Sequence, residues 1–178
     1  MFGQRYRADA THRRAVETAW AIHAAQSDWT ARVDAKATFA FAAESAAIAT
    51  VVALTAEDRL YSHLDEWWMW VLYVLGLLGM LAAAGLSAWV VIPRLRKNHV
   101  NAESHENFIY FGHVRLWKPA RLETALLTED LLPQLTRQIS AMARIAWQKH
   151  VLVQWSLWVA VVSGLLLVGC GLISSFAA

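Results

Sequence analysis

Two stretches of the chain carry no charge at all: Trp67 to Ile92, 26 residues, and Val151 to Ala178, 28 residues. A bilayer core asks for roughly 20 apolar residues in helical form, and a helix satisfies its own backbone polar groups where no water can. Both stretches therefore predict transmembrane helices. Wrapping two such segments inside a soluble protein would need more chain than 178 residues provide. A third stretch, Ala37 to Leu54, is apolar apart from Glu44, Ser45 and its threonines, and predicts a first span. The alternative for it is a soluble helix packed beside the membrane. Upstream, Thr11 stands as an N-cap of a helix that meets no Pro or Gly before Leu54. At 1.5 Å per residue that helix is about 65 Å long, about twice the bilayer core. Its first half is amphipathic, with Val16, Ala19, Trp20, Trp29 and Val33 among charges, and residues 1–10 read as polar and loosely ordered.

Span two opens on Trp67, Trp68 and Trp70 and closes at Trp89 and Pro93, and span three has Trp155 and Trp158 near its start. Tryptophan prefers the headgroup level, so these rings act as anchors. Between the two spans the chain from Asn98 to Leu127 is polar and irregular. From Thr128 a helix restarts, with Leu132, Leu135, Ile139, Met142 and Ala146 at alternating steps of three and four, a coiled-coil-like seam. Pro133 suits its first turn. The predicted fold is all-α: an integral membrane protein of three transmembrane helices with a small helical cytoplasmic module. Residues 1–36 form the N-terminal amphipathic helix, 37–54 span one, 55–66 a connector and 67–93 span two. Residues 94–149 form the module and 150–174 span three.

Composition agrees, since 57% of residues are hydrophobic and 17% charged, with a mean hydropathy of +0.34; a soluble domain carries about 25% charge. The distribution of cations sets the orientation. Six Lys and Arg fall in residues 1–36, nine between Arg94 and Lys149, and only Arg59 between spans one and two. By the positive-inside rule the N-terminus and the module are cytoplasmic and the C-terminus is outside.

Chemistry is sparse. His105-Glu106 has no second histidine at metalloprotease spacing, and His99, His105 and His113 share the module without ligand spacing. Gly112 is the only glycine between Gly85 and Gly164, so no phosphate loop exists there. No motif points to a nucleic-acid polymer. Cys170 is a lone cysteine in an apolar run and reads as packing. The pattern thus gives no enzyme, metal or cofactor. Glu44 is costly at membrane depth. It predicts either a pore or oligomer interface, or a protonated glutamic acid bonded to a neighbouring helix with Ser45 and Thr50 nearby. Asp34 and Lys36 mark the cytoplasmic mouth of span one, where snorkelling explains them. Gly79, Ala83 and Ser87 lie at four-residue spacing and predict a close-packing stripe, within or between chains.

One block, Asn107 to Arg115, combines stackable rings (Phe108, Tyr110, Phe111), an amide (Asn107), an imidazole (His113) and a guanidinium (Arg115) within nine residues. A cyclic nucleotide needs such parts: a ring to stack on, donors for the base edge and a cation for the phosphate. The alternative is an aromatic cluster that pins the loop under the helices.

Asp34-x-Lys36-Ala37, the Tyr110-Phe111-Gly112-His113 block and the helix Gln138 to His150, in that order, resemble the membrane effectors of Pycsar antiphage systems. The resemblance covers most of residues 28–165 and leaves 11–27 outside it. It implies a partner pyrimidine cyclase that makes cyclic UMP or cyclic CMP on infection. It also implies an effector, without enzymatic activity, that responds by impairing the bacterial inner membrane and killing the cell, as a homo-oligomer. It singles out Asp34, Lys36, Tyr110, Phe111, His113, Gln138 and Lys149. The rival expectations are a small constitutive channel or transporter subunit, which Glu44 would serve, and a membrane anchor or scaffold, which the seam would serve.

Overall fold

The computed structural model describes residues 2–56, 59–61, 64, 66–93, 103–105 and 107–177. The cations Arg94, Arg96 and Lys97, with His99, Glu106 and the connector acids Glu57, Asp58 and Asp65, lie outside the described residues. Among the described residues the chain is helical without strands. Its elements are α1 (Phe2–Ala53), α2 (Trp67–Val91), the single turn α3 (Phe111–Val114), α4 (Pro119–Thr128) and α5 (Leu132–Ala177). Three of them, α1, α2 and α5, are long and apolar enough to cross a membrane.

The boundaries follow local chemistry. Helix α1 begins at Phe2, nine residues before the expected cap. Thr11 lies inside it because nothing upstream stops it: Gln4 to Ala10 hold no Pro, and Gly3 falls in the first turn. Helix α2 stops at Val91, and Ile92 turns extended (φ −59°, ψ 123°) ahead of Pro93, whose ring disfavours a helical residue before it. Helix α4 begins with Pro119 in its first turn, where the missing N–H costs nothing. The expected restart at Thr128 is corrected: Thr128 ends α4 and Glu129 is extended. The Leu132 N–H then donates to the Asp130 carboxylate at 2.9 Å, opening α5. The helix starts later because Asp130, not Thr128, caps it.

Residues cluster into two compact units, one of 1–31 and 93–147, the other of 32–92 and 148–178. In the second unit the inward positions of all three long helices alternate by three and four. They are Val33, Ala37, Ala40, Glu44, Ala47 and Val51 on α1, and Met69, Tyr73, Gly76, Met80, Ala83, Ser87 and Val90 on α2. On α5 they are Val153, Ser156, Ala160, Ser163, Leu167, Cys170 and Ser174. A strict repeat of 3.5 residues is the mark of left-handed supercoiled packing. Small residues at these positions bring backbones close: a Cβ on Gly76 would stand 2.7 Å from Leu167 Cγ, and one on Gly79 would strike Ser163 Oγ. Ala83 and Ser87 are fully buried within the single chain, and Gly79, half-buried, faces α5 at Ser163. Trp67, Trp70, Trp89, Trp155 and Trp158 face outward, as interfacial anchors do.

The connector is tied to the same unit. The Tyr61 hydroxyl donates to Leu167 O at 2.8 Å, and Ser174 Oγ donates to Leu60 O at 2.9 Å. Burial first, then Cys170 and Tyr73, push the Tyr61 phenol above its ordinary pKa, so it stays a donor.

In the first unit Leu135 and Ala146 of α5 are buried, with Ile139 and Met142 half-buried between them. The segment before α4 is knitted to itself. Trp117 Nε1 donates to Ser104 O, Arg121 stacks over the Trp117 ring at 4.5 Å, and its guanidinium donates to His105 O. Phe108 N–H donates to Gln134 Oε1, whose amide nitrogen donates to Glu129.

Candidate ligand site

The Tyr110-Phe111-Gly112-His113 block folds into one helical turn. Tyr110 enters it extended (φ −76°, ψ 128°) and its ring folds back over the turn. The ring centroids of Phe111 and His113 stand 4.6 Å and 5.3 Å from that of Tyr110. Gly112 makes this possible, because a Cβ there would collide with Tyr110 Cε1. Phe111 is 64% exposed, whereas His113 is 4% exposed, with Nε2 3.8 Å from Glu103 Oε2.

A cavity of about 250 Å³ opens beside this turn. Tyr110, Phe111 and His113 form one wall, and Gln138, Ala141, Met142 and Ile145 of α5 form the other. Ligand clefts usually begin at roughly 300 Å³, so the space lies just below that range. It joins a ring face, an imidazole and an amide on otherwise apolar walls.

Four of the residues anticipated for binding meet here: Tyr110, Phe111, His113 and Gln138. Three do not. Asn107 Nδ2 donates to Glu103 O at 3.0 Å, and Arg115 Nε donates to Gly112 O at 3.2 Å. His113 lies in a helical turn that Arg115 closes, so these two residues, two positions apart, diverge rather than share a face. Lys149 belongs to the other unit, where Nζ lies 2.6 Å from Asp34 Oδ1; Lys36 of that unit is exposed. Among the described residues no lysine or arginine lines the cavity, but Arg137 and Arg144 follow the same stretch of α5, one residue from Gln138 and Ile145, and both are exposed. Met142 and Ile145 were legible as a helix face with Gln138, through their spacing of four and three, yet apolar residues at that spacing announce a core rather than a wall.

The Glu44 carboxyl is buried among the long helices. Glu44 is 4% exposed, with Oε1 2.7 Å from Ser156 Oγ of α5. The contact is to a neighbouring helix, as the second of the two expectations for Glu44 has it; of the polar residues nearby on α1, Thr50 Oγ1 donates to Ala46 O of its own helix. Ser156 went unnoticed because a lone serine in an apolar run carries little signal.

Comparison with curated proteins and with solved structures gives no match to the chain. A family profile described as the Pycsar effector protein domain (PycTM) matches residues 18–175, taking in part of the N-terminal helix that the motif resemblance leaves out. With three helices long enough to span a membrane and that match over most of its length, the chain belongs to the Pycsar transmembrane effector family and is an antiphage defence effector.

Proposed function

We propose that a cyclic pyrimidine nucleotide, cyclic UMP or cyclic CMP, binds the cavity beside Tyr110 and switches the protein into a state that impairs the bacterial inner membrane. The observation that carries this reading is the cavity itself, with Tyr110, Phe111 and His113 on one wall and Gln138 opposite. The rings offer a stacking face for the base. Gln138 and His113 offer polar atoms for its edge, and Arg137 or Arg144 offers a cation for the phosphate at the rim. Arg115 and Asn107 act by holding the turn and the segment before it. The protein performs no catalytic step and takes no cofactor.

The topology of this reading puts residues 1–36 and 94–149 in the cytoplasm, where a soluble messenger arrives. Spans at 37–54, 67–93 and 150–174 leave the 55–66 connector and the C-terminus outside. Helices α1 and α5 run unbroken through both compact units, which supports coupling between ligand and spans. Binding acts by differential affinity for two states. A shift from 1:99 to 99:1 takes about 5.5 kcal/mol, a demand that a homo-oligomer with several sites meets more easily. A constitutive channel is less well supported, because Glu44 turns to Ser156 inside the bundle.

Calorimetric titration of the detergent-solubilised protein with cyclic UMP and with cyclic CMP tests the reading. Saturable binding of one of them, weakened in Phe111→Ala, is the expected result. Absence of binding by the parent protein refutes the messenger role.

A further inference from the structure

The Glu44 contact holds more than an interhelical hydrogen bond. Ser156 Oγ lies 2.7 Å from Glu44 Oε1, 2.7 Å from Ser87 Oγ and 3.0 Å from Ala83 O. These atoms belong to α1, α2 and α5, so all three long helices meet at one hydroxyl. A hydroxyl carries a single hydrogen and can otherwise only accept. The Ala83 carbonyl can only accept, so its contact takes the Ser156 hydrogen. Ser87 supplies the hydrogen for the second contact. The third, to Glu44, has no hydrogen left unless the carboxyl brings one. All three contacts carry a hydrogen only when Glu44 is the neutral acid, donating through Oε1 to Ser156; with Glu44 ionised, the Ser156 hydrogen goes to Oε1 and the longer contact to Ala83 O carries none.

The surroundings agree. Glu44 Oε2 is buried and has no hydrogen-bond partner among the described residues. A carbonyl oxygen tolerates that far better than a carboxylate oxygen does. Among the described residues no cation is paired with it. Between Trp67 and Val91, α2 has no residue more ionisable than Tyr73. On α1 the nearest cation, Lys36, is eight residues away, about 12 Å along the axis, with Asp34 beyond it. On α5, Lys149 precedes Ser156 by seven residues and is paired with Asp34. His150 beside it is exposed, and Cys170 lies four turns further on. A bare carboxylate would stand at membrane depth without a counter-charge.

We propose that the Glu44 carboxyl is a proton-binding site that clasps the three spans through Ser156. The proposal is independent of nucleotide binding. It makes Glu44→Gln a faithful substitute, since the amide N–H₂ can still donate to Ser156, and Glu44→Ala a loss of the clasp.

Infrared spectroscopy of the full chain in lipid vesicles at neutral pH tests it. The parent should show the carbonyl band of a buried protonated carboxyl, one per chain, and Glu44→Gln should lose that band while unfolding at the same temperature. Ser156→Ala should keep the band and shift it upward as the hydrogen bond is lost. A parent spectrum identical to that of Glu44→Gln in this region overturns the proposal, as does a band that emerges only when sodium is withdrawn, which would make the occupant a cation. If Glu44→Gln does not insert, an unshifted band in Ser156→Ala overturns it equally.

Discussion

Lys149 Nζ stands 2.6 Å from Asp34 Oδ1, an ion pair between residues 115 positions apart. It sits one turn from Ala37 and Val153, which are buried together in an apolar cluster with Val33 and Val90. Both side chains are partly exposed, so the pair falls between two regimes. Exposed pairs contribute up to about 1 kcal/mol, while removing one partner of a buried pair costs about 3 kcal/mol or more. Lys149→Met should therefore lower stability by about 1–3 kcal/mol. The exchange Asp34→Lys with Lys149→Asp should recover part of it in a double-mutant cycle of thermal unfolding.

Packing between spans gives a second expectation. A Cβ on Gly76 meets Leu167, itself buried, whereas one on Gly85 meets nothing within 4 Å. Gly76→Ala should destabilise by about 1–3 kcal/mol through overpacking. Gly85→Ala should be neutral or stabilise by up to about 1 kcal/mol through helix propensity. Unfolding of the two variants in the same detergent separates them, and equal midpoints would deny the close approach of α2 and α5.

How much of this was legible in the sequence depends on what each residue type reveals. Runs without charge disclose spans two and three directly, because lipid tolerates few charges. The α5 seam shows between Leu132 and Ala146, where apolar residues alternate with polar ones. It continues unseen through Val153, Leu167 and Cys170, since inside a membrane the outward residues are apolar too and the period loses its contrast. Only Ser156, Ser163 and Ser174 keep it, as small polar residues in an apolar run. At the candidate site, Tyr110 to His113 stand out by composition. Their meeting with Gln138 is a tertiary fact that local pattern does not contain.

Topology supplies a third expectation. Fifteen Lys and Arg on one side against one on the other predict three crossings. Reporter fusions after Asp65, Leu127 and Ala178 should read outside, inside and outside. A cytoplasmic signal at Ala178 would contradict the scheme.

The phosphate contact gives a fourth. Among the described residues the cavity has no lysine or arginine in its walls, and Arg121 is occupied by Trp117 and His105 O. Removing Arg137 and Arg144 together should weaken nucleotide binding by about tenfold to a hundredfold, the worth of a charge-assisted bond of about 1.5–3 kcal/mol. It should also flatten the salt dependence of binding. Arg115→Ala should cost less, through loosening of the turn, and the two titrations compared at low and high salt decide which arginines meet the phosphate.

The most direct measurement is release of a trapped dye from lipid vesicles that carry the full chain with residues 94–149 facing the added nucleotide. Cyclic UMP or cyclic CMP should trigger release from vesicles with the parent protein. Phe111→Ala should need about tenfold to a hundredfold more nucleotide, since base stacking is worth roughly 1–3 kcal/mol. Release that is the same with and without nucleotide, or none at saturating nucleotide, would contradict nucleotide-gated impairment of the membrane.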